Sequence, residues 1–183
     1  MDRDLVEQAR RGDREAFAIL VRQVSDPLYA VAYRILRDTG LAEDALQNAL
    51  VIAWRRIPHL RDVDRFEAWV HRILVHACYD ESQRVRQWTA NVRVLPVDGP
   101  SVPDRSSLFA DRDELERAFR GIPVDQRAVF VLHHYVGLPL VEIAEMLEIP
   151  AGTARSRLHY ATRGLRAALE AGSEALLNGG RLA

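Results

Sequence analysis

The sequence predicts an all-α protein made of two small helical domains. Over most of the chain, apolar residues recur every three or four positions, which is the period of a helix that buries one face. The long alternation of apolar and polar residues that indicates a half-buried strand is missing from the sequence. Helical periodicity stops between residues 93 and 107, where three prolines occur. We therefore place the first domain at 1–90, a flexible linker at 91–110, the second domain at 111–175 and a tail at 176–183.

The first domain begins with two helices separated by a capping turn. A helix over 4–11 is predicted to stop at Gly12. Asp13 is suited to cap the next helix, because its carboxylate can accept hydrogen bonds from free backbone N–H groups. We expect a further helix to begin at Pro27, since the first helical turn tolerates proline, and to end at residues 38–40.

Two longer helices complete the first domain. Residues 42–56 carry a stripe of alanine, leucine and tryptophan, and Pro58 closes it. Another stripe with a period of 3.6 residues begins at Phe66 and Trp69. We expect Trp54 and these two aromatic residues to belong to the core, because large apolar side chains at helical spacing usually face the interior.

The second domain contains the pattern of a helix-turn-helix. Helical periodicity resumes at Asp111, and a helix over 124–135 follows. A short apolar-periodic segment from Leu140 to Leu147 then precedes a three-residue break and a new helix from Ala151. From Ala151 to Leu169 there are four arginines and no acid, although the whole chain has a net charge of −1. A helix-turn-helix inserts its second helix into the major groove, so this pattern predicts binding to duplex DNA.

The composition excludes several other classes of protein. No apolar run approaches the roughly 20 residues of a membrane-spanning helix, and the first residues do not form a signal peptide. Cys78 is the only cysteine, which rules out an intramolecular disulfide and a multi-cysteine zinc site. The histidines lack metal-ligand spacing, and no nucleophile elbow or phosphate loop occurs. We therefore predict a cytoplasmic protein that does not insert into membranes, uses no cofactor or metal and is not an enzyme.

Three short motifs of the second domain carry a family resemblance. Residues 122–127 read IPVDQR, residues 136–145 read VGLPLVEIAE and residues 152–159 read GTARSRLH. They resemble the LPxxQR, GLSxxEIAE and GTVKSRLHR motifs of region four in the extracytoplasmic-function (ECF) sigma factors of bacterial RNA polymerase. The resemblance implies that this domain recognises the −35 promoter element.

The first domain resembles region two of the same family. Residues 12–17 read GDREAF, residues 42–49 read AEDALQNA and residues 66–73 read FEAWVHRI. The corresponding family motifs are GDxxAF, DAEDLVQEVF and FRxWLxRI. Because both sets of motifs occur in the family order, the resemblance covers most of the chain. It implies that the first domain binds core RNA polymerase and melts the −10 element.

The resemblance places polymerase contacts on one face of the helix over 42–56. The residues implied are Asp44, Gln47, Asn48, Val51 and Arg55. Asn48 stands where the family usually has an acid. Residues 81–83 likewise interrupt what is often an arginine-rich run in the family.

A second surface of the first domain is implied to hold the −10 single strand. Family members bind a flipped-out base with the loop before the aromatic helix, here 59–64, and with the polar face of that helix. Single-stranded DNA is bound by cationic groups beside aromatic platforms, and both occur in this segment. The candidate residues are Arg61, Arg65, Arg72, His76 and Arg84.

The candidate −35 surface lies at the start of the last helix. Arg155, Ser156 and His159 are spaced to share its groove-facing side, and Arg155 could donate two hydrogen bonds to a guanine. Thr153, Arg157 and Arg163 are better suited to phosphates, which position a protein without specifying sequence. Glu148 replaces the usual glycine of the turn, at a position that commonly needs a positive φ.

These observations predict an alternative sigma factor of a bacterial cytoplasm. Its partners would be core RNA polymerase, the −35 duplex and the −10 single strand of promoter DNA, and an anti-sigma factor that clamps or separates the two domains. The flexible linker would let the domains reorient. Two alternatives remain open: a sigma-like decoy that titrates an anti-sigma factor, and a helix-turn-helix repressor that binds duplex DNA without polymerase.

Overall fold

A computed structural model describes residues 2–91 and 116–179 of the chain. All regular structure in these ranges is helical, which confirms the all-α class. The helices are α1 (Arg3–Arg10), α2 (Arg14–Leu36), α3 (Thr39–Arg56), α4 (Phe66–Asn91), α5 (helical over 116–121), α6 (Val124–His134), α7 (Leu140–Met146) and α8 (Ala151–Gly179), with 3₁₀ turns at Ile57–His59 and Val63–Arg65. The linker predicted at 91–110, apart from Asn91, and the predicted resumption of helix at Asp111 lie outside the described residues.

Aspartates cap the first three helices. Asp13 accepts hydrogen bonds from the backbone N–H groups of Glu15 (2.9 Å) and Ala16 (3.1 Å), as predicted. Gly12, in the preceding turn, has a φ of 96°, which a side chain would strain. Asp38 caps α3 by accepting from the N–H of Leu41 at 2.9 Å. Because Asp38 caps α3, that helix begins three residues before the predicted start at 42.

The predicted break at Pro27 is wrong, because α2 runs continuously through it. Proline has no N–H for the carbonyl four residues earlier, so its position inside a helix costs a hydrogen bond. The Ser25 hydroxyl donates to the Val21 carbonyl at 2.6 Å in the same turn. The helix is kept by its apolar row, which continues across Pro27 without a change of face: Leu20, Val24, Leu28, Val31 and Ile35 are all buried. Burial of this row outweighs the local signal of the proline.

The first domain is built on α2, with α1, α3 and α4 packed around it. Four alanines of α3 are buried, so the helix can approach its neighbours closely. Phe66 is 2% exposed, in agreement with the predicted core position. Trp54 is half-buried and packs against Phe17, with 4.9 Å between the ring centroids. None of the helices in 2–91 and 116–179 combines the length and hydropathy that crossing a bilayer requires.

The second domain packs α6 and α7 against α8, and it also docks on the first domain. Helix α2 contacts α6, while α4 contacts both α6 and α7. The Arg34 guanidinium lies 3.7 Å from the centroid of the Tyr135 ring, a distance typical of a cation–π contact. Arg37 forms an ion pair with Glu116 and lies 5.1 Å from the centroid of the Phe119 ring. The two helical units therefore share one interface.

Candidate nucleic-acid interface

The helix-turn-helix has the bounds predicted from the sequence. Helix α7 ends at Met146, α8 begins at Ala151, and the buried side chains of Ile143 and Ala154 lie in the two helices. In the turn, the N–H of Ile149 donates to the Ala144 carbonyl at 3.0 Å. Glu148 has a φ of 54°, the left-handed conformation that glycine adopts without strain. This chain therefore keeps the backbone expected of a turn glycine while placing a carboxylate there.

The start of α8 is open to solvent. The Pro150 carbonyl accepts hydrogen bonds from the N–H groups of Thr153 (2.8 Å) and Ala154 (3.1 Å), which begins the helix. Ala151 and Gly152 are exposed, and a Cβ added to Gly152 would meet no atom within 4 Å. An accessible helix N-terminus attracts phosphate through its N–H groups and its dipole.

Most of the candidate −35 side chains lie together on the outer side of α8. Arg155, Ser156, His159 and Arg163 are exposed, and Thr153 is half-buried. The Ser156 hydroxyl donates to the Thr153 carbonyl at 3.0 Å, which leaves its oxygen available as an acceptor.

Arg157 is held differently from the other candidates on α8. Its Nε lies 3.1 Å from a carboxylate oxygen of Asp125, and its side chain is 25% exposed. The nearby Tyr79, on α4 of the first domain, is affected electrostatically by both members of this pair. Arg157 therefore faces the interface between the domains.

The candidate −10 surface contains a cleft next to the loop before α4. Buried Leu60 and Val63 anchor this loop, and the Asp62 carboxylate accepts from the N–H of Asp64 at 3.0 Å. The cleft encloses about 430 Å³. Its lining includes, from the first domain, His59, Arg61, Arg65, Trp69 and Arg72, and, from the second domain, Leu138, Glu142, Glu145 and Met146. Three candidate arginines and an aromatic ring thus come together.

Two candidate residues lie farther along α4, outside this cleft. His76 is exposed and meets the Tyr79 ring edge-on, with 6.2 Å between the centroids. Arg84 forms an ion pair with Glu81 at 3.0 Å. The structure therefore separates His76 and Arg84 from the three cleft arginines.

The candidate polymerase-binding residues lie on one exposed face of α3. All five are solvent-exposed, and Val51 is an apolar side chain left 49% exposed there. Residues spaced by three or four positions share one side of a helix, and this set spans three turns. The residues are Asp44, Gln47, Asn48, Val51 and Arg55.

Asn48 also makes a contact that sequence reasoning missed. Its Nδ2 donates to Oε1 of Glu81 at 2.7 Å, and Glu81 is 2% exposed. An acid at residue 48 would instead oppose the buried carboxylate of Glu81. The two departures from the family pattern, at residues 48 and 81, therefore stabilise each other. The sequence carries both departures, but only the packing of α3 on α4 connects them.

Two further groups on α4 are shielded from solvent. Burial, and secondarily the Glu81 carboxylate, raises the pKa of the Cys78 thiol to about 12, so the thiol is neutral at physiological pH. Burial also raises the pKa of Tyr79 to about 12, and within the described part of the chain the buried hydroxyl has no hydrogen-bond partner. In the ranges 2–91 and 116–179, no group of three or more His, Cys, Asp or Glu side chains could hold a metal ion.

Comparisons with known proteins agree with this architecture. The family model Sigma-70 region 2 matches residues 20–89, and the model Sigma-70, region 4 matches residues 112–163. The ECF RNA polymerase sigma factor SigM of Mycobacterium tuberculosis is 33% identical over 156 residues, which cover 85% of this chain and 78% of SigM. SigL of the same species is 32% identical over 166 residues, which cover 87% of this chain and 94% of SigL. SigW of Bacillus subtilis is 27% identical over 175 residues, or 88% and 92% of the two chains.

Two solved structures share the fold. CnrH, in complex with the cytosolic domain of CnrY, superimposes with a TM-score of 0.67 at 24% identity and covers 93% of this chain and 97% of CnrH. The sigma factor RpoE of Bartonella quintana, in complex with the anti-sigma factor NepR, gives a TM-score of 0.64 at 23% identity, with coverage of 84% and 96%. With regions 2 and 4 in order along one helical chain, and with relatives that match it over most of their length, this chain belongs to the ECF sigma factors and is an alternative sigma factor that directs transcription initiation.

Proposed function

We propose that this sigma factor divides promoter recognition between its two domains. The domain at 111–175 would bind the −35 duplex, and the domain at 1–90 would bind core polymerase and hold the melted −10 strand. The observation that carries this proposal is the placement of arginines: they line the outer side of α8 and the cleft beside α4. The chain supplies no catalytic group in this scheme, because the polymerase performs the chemistry.

The −35 contact is made by the N-terminal half of α8. Its three arginines between 151 and 163 have no acid on the same stretch, so this part of the helix is attracted to the duplex. Arg155 reaches a guanine edge in the major groove with two parallel N–H donors. Ser156 and His159 border it, while Thr153, Arg157 and Arg163 bind phosphates and fix the register.

The −10 contact is made by the cleft and by the outer side of α4. A base turned out of the stack needs a concave pocket and an aromatic or cationic surface, and Trp69 with Arg61, Arg65 and Arg72 offers both. His76 and Arg84, farther along α4, bind the continuing strand. A cleft of about 430 Å³ is large enough for one base with its sugar.

The exposed face of α3 binds core polymerase. Val51 is an apolar side chain surrounded by polar neighbours, an arrangement typical of the centre of a protein interface. We also propose an anti-sigma partner, because the structurally similar sigma factor RpoE was crystallised with the anti-sigma factor NepR. The site of action is the bacterial cytoplasm, where core polymerase works.

Run-off transcription with purified core polymerase and a pooled promoter library tests the proposal. We expect discrete new start sites when the protein is added, and their upstream sequences identify both promoter elements. Arg155→Ala should abolish or redirect these starts, whereas Arg166→Ala, an equal loss of charge farther along α8, should leave them unchanged.

Two other outcomes would overturn the proposal. If no new transcripts appear but the protein alone binds duplex DNA, the protein is a helix-turn-helix repressor. If no new transcripts appear and the protein does not bind DNA, it is a decoy that titrates an anti-sigma factor.

A further inference from the structure

Two arginines of the candidate −10 surface are paired with acids of the helix-turn-helix. Arg72 of α4 forms an ion pair with Glu148, the residue in the left-handed turn conformation. Nη2 of Arg65 lies 3.6 Å from Oε2 of Glu145 on α7. Both pairs join the two domains across the cleft, and we call these two pairs the latch.

Helix α7 also borders the cleft. Glu142, Glu145 and Met146 of α7, together with Leu138 just before it, line the cleft opposite the residues of the first domain. The cavity that suits a flipped-out base is therefore bounded by the same helix that supplies one of the latch acids.

The acids of the latch resemble the ligand that they exclude. A guanidinium binds carboxylate and phosphate oxygens with the same planar set of donors. Glu145 and Glu148 thus occupy the positions at Arg65 and Arg72 that strand phosphates would take. Glu148 reaches Arg72 from a left-handed backbone conformation that strains a non-glycine residue. Nothing in the turn itself requires a glutamate, whereas the latch uses its carboxylate.

One predicted contact of the −35 surface faces the same interface. Arg157 is paired with Asp125 and lies near the buried hydroxyl of Tyr79, on α4. In the docked arrangement the second domain therefore borders the −10 cleft and Arg157 faces the first domain, although its ion pair with Asp125 lies within the second domain; Arg155 and His159 stay exposed.

We propose that the free protein is self-inhibited, with the latch and α7 acting as an internal substitute for the −10 strand. This inference rests on the proposed role of the cleft in holding melted DNA. Separation of the domains breaks both ion pairs, frees the guanidinium groups of Arg65 and Arg72 for strand phosphates and opens the cleft. Polymerase binding, which must spread the two domains along a promoter, supplies that separation.

The same interface contains a feature that favours its release. Arg127 is 7% exposed, and two of its guanidinium nitrogens have no hydrogen-bond partner among the residues that the structure describes. Burial together with Arg37, Arg120 and Arg86 lowers its pKa to about 10, and it remains charged at neutral pH. The Glu116 carboxylate acts against these arginines and raises the pKa of Arg127, but it is already paired with Arg37. A buried cation without a partner is costly, so access to water at Arg127 would favour opening.

The test measures domain separation and strand binding in the full-length chain. Dyes on cysteines introduced at exposed Gln23 and Ala167 report the distance between domains by single-molecule energy transfer, and the buried Cys78 stays unlabelled. A pool of fluorescent single-stranded oligonucleotides of random sequence reports strand binding. The double variant E145Q/E148Q removes both carboxylate charges with little change in shape. E43Q is the control for loss of a carboxylate, because Glu43 is exposed on α3 and does not line the cleft.

We expect E145Q/E148Q to raise the ratio of open to closed molecules by about two- to tenfold, since each partly exposed ion pair contributes little alone. Strand affinity should rise by the same factor, and E43Q should change neither quantity. Arg72→Glu should also open the chain, and adding Glu148→Arg to it should restore the closed population. This charge exchange is followed by energy transfer alone, because Arg72 is assigned to the strand.

Two results would overturn the inference. If E145Q/E148Q has the wild-type distribution of distances, the ion pairs do not hold the domains together. If it opens without any gain in strand binding, the covered surface is not the −10 surface. Failure of the proposed function itself would appear separately, as silence of the wild-type protein with core polymerase in the run-off assay.

Discussion

The two candidate DNA surfaces carry similar residues but differ in what their arginines contact. On α8, Arg155 and Arg163 are exposed, and the stretch around them contains no acid. In the cleft beside α4, Arg65 and Arg72 are paired with Glu145 and Glu148 of the other domain. Charge on the first surface is available to DNA at once, whereas charge on the second must first lose its internal partners. If the two surfaces bind DNA as proposed, we expect −35 contact to precede −10 contact.

The largest expected effect is a loss of transcription when one arginine of the exposed surface on α8 is removed. Arg155→Ala removes a two-donor contact with guanine, which is worth about 1–3 kcal/mol of discrimination. Run-off transcription from promoters that depend on the −35 element should fall by about 10- to 100-fold. Arg166→Ala serves as the control for loss of charge. Equal transcription by the two variants would contradict the assignment of Arg155.

The next largest effect concerns the side-chain hydrogen bond that joins α3 to α4, the helix that carries the candidate −10 surface. Asn48→Asp places a carboxylate against the buried Glu81, which loses a donor 2.7 Å away and gains a like charge. We expect a loss of about 1–3 kcal/mol in the free energy of unfolding, measured by urea denaturation. Gln47→Glu adds the same charge to the neighbouring exposed residue and should leave stability within about 0.5 kcal/mol of wild type. A similar loss in both variants would mean that net charge, and not the pair, controls stability.

A smaller effect sharpens the comparison at the turn. Glu148→Gly relieves the left-handed strain at a φ of 54° and should stabilise the second domain by about 1 kcal/mol. We therefore expect the second domain to become more stable even though the same change removes an ion pair of the latch and favours the open form. Thermal unfolding measures the gain, and Glu148→Gln, which keeps the strain, should lack it. A lower melting temperature for the glycine variant would show that the ion pair outweighs the strain.

The smallest expected effect is the absence of a reaction at Cys78. The thiol lies on the Glu81 side of α4, toward α3, so separation of the domains should not expose it. With a pKa near 12 in the folded protein and a reference value of 9.0, the folded state holds the proton more tightly. The contribution of the Cys78 thiol to the free energy of unfolding should therefore be complete below pH 9 and should be lost as the pH rises from 9 to 12. At pH 8, a thiol reagent should label native wild type and E145Q/E148Q equally slowly. Faster labelling of the variant would place Cys78 at the domain interface.

Sequence reasoning predicts the local features of this molecule well. Helix periodicity, the Asp13 cap and the bounds of the helix-turn-helix follow from interactions within a few residues. The positive φ at Glu148 is also a local property, expected from the turn position alone. Pro27 is the exception, because burial of the α2 row on other helices overrides its local signal.

Pairs between distant parts of the chain escape sequence reasoning. Asn48 and Glu81 are 33 residues apart, and although each departs from the family pattern, no local signal connects the two. The latch joins residues from different domains, and no period or motif connects Arg72 with Glu148. Such pairs depend on how the helices and domains pack, which a single sequence does not specify.

The contact between Asn48 and Glu81 has a consequence for building hybrid sigma factors. Helix α3 is assigned to the polymerase and α4 to the promoter, so a designer would wish to exchange one without the other. In this chain the two helices are joined by a side-chain hydrogen bond that a graft carrying an acid at residue 48 would turn into repulsion. If α3 and α4 have these proposed roles, we expect a hybrid to keep its stability when the two helices are transplanted together, as one interchangeable part.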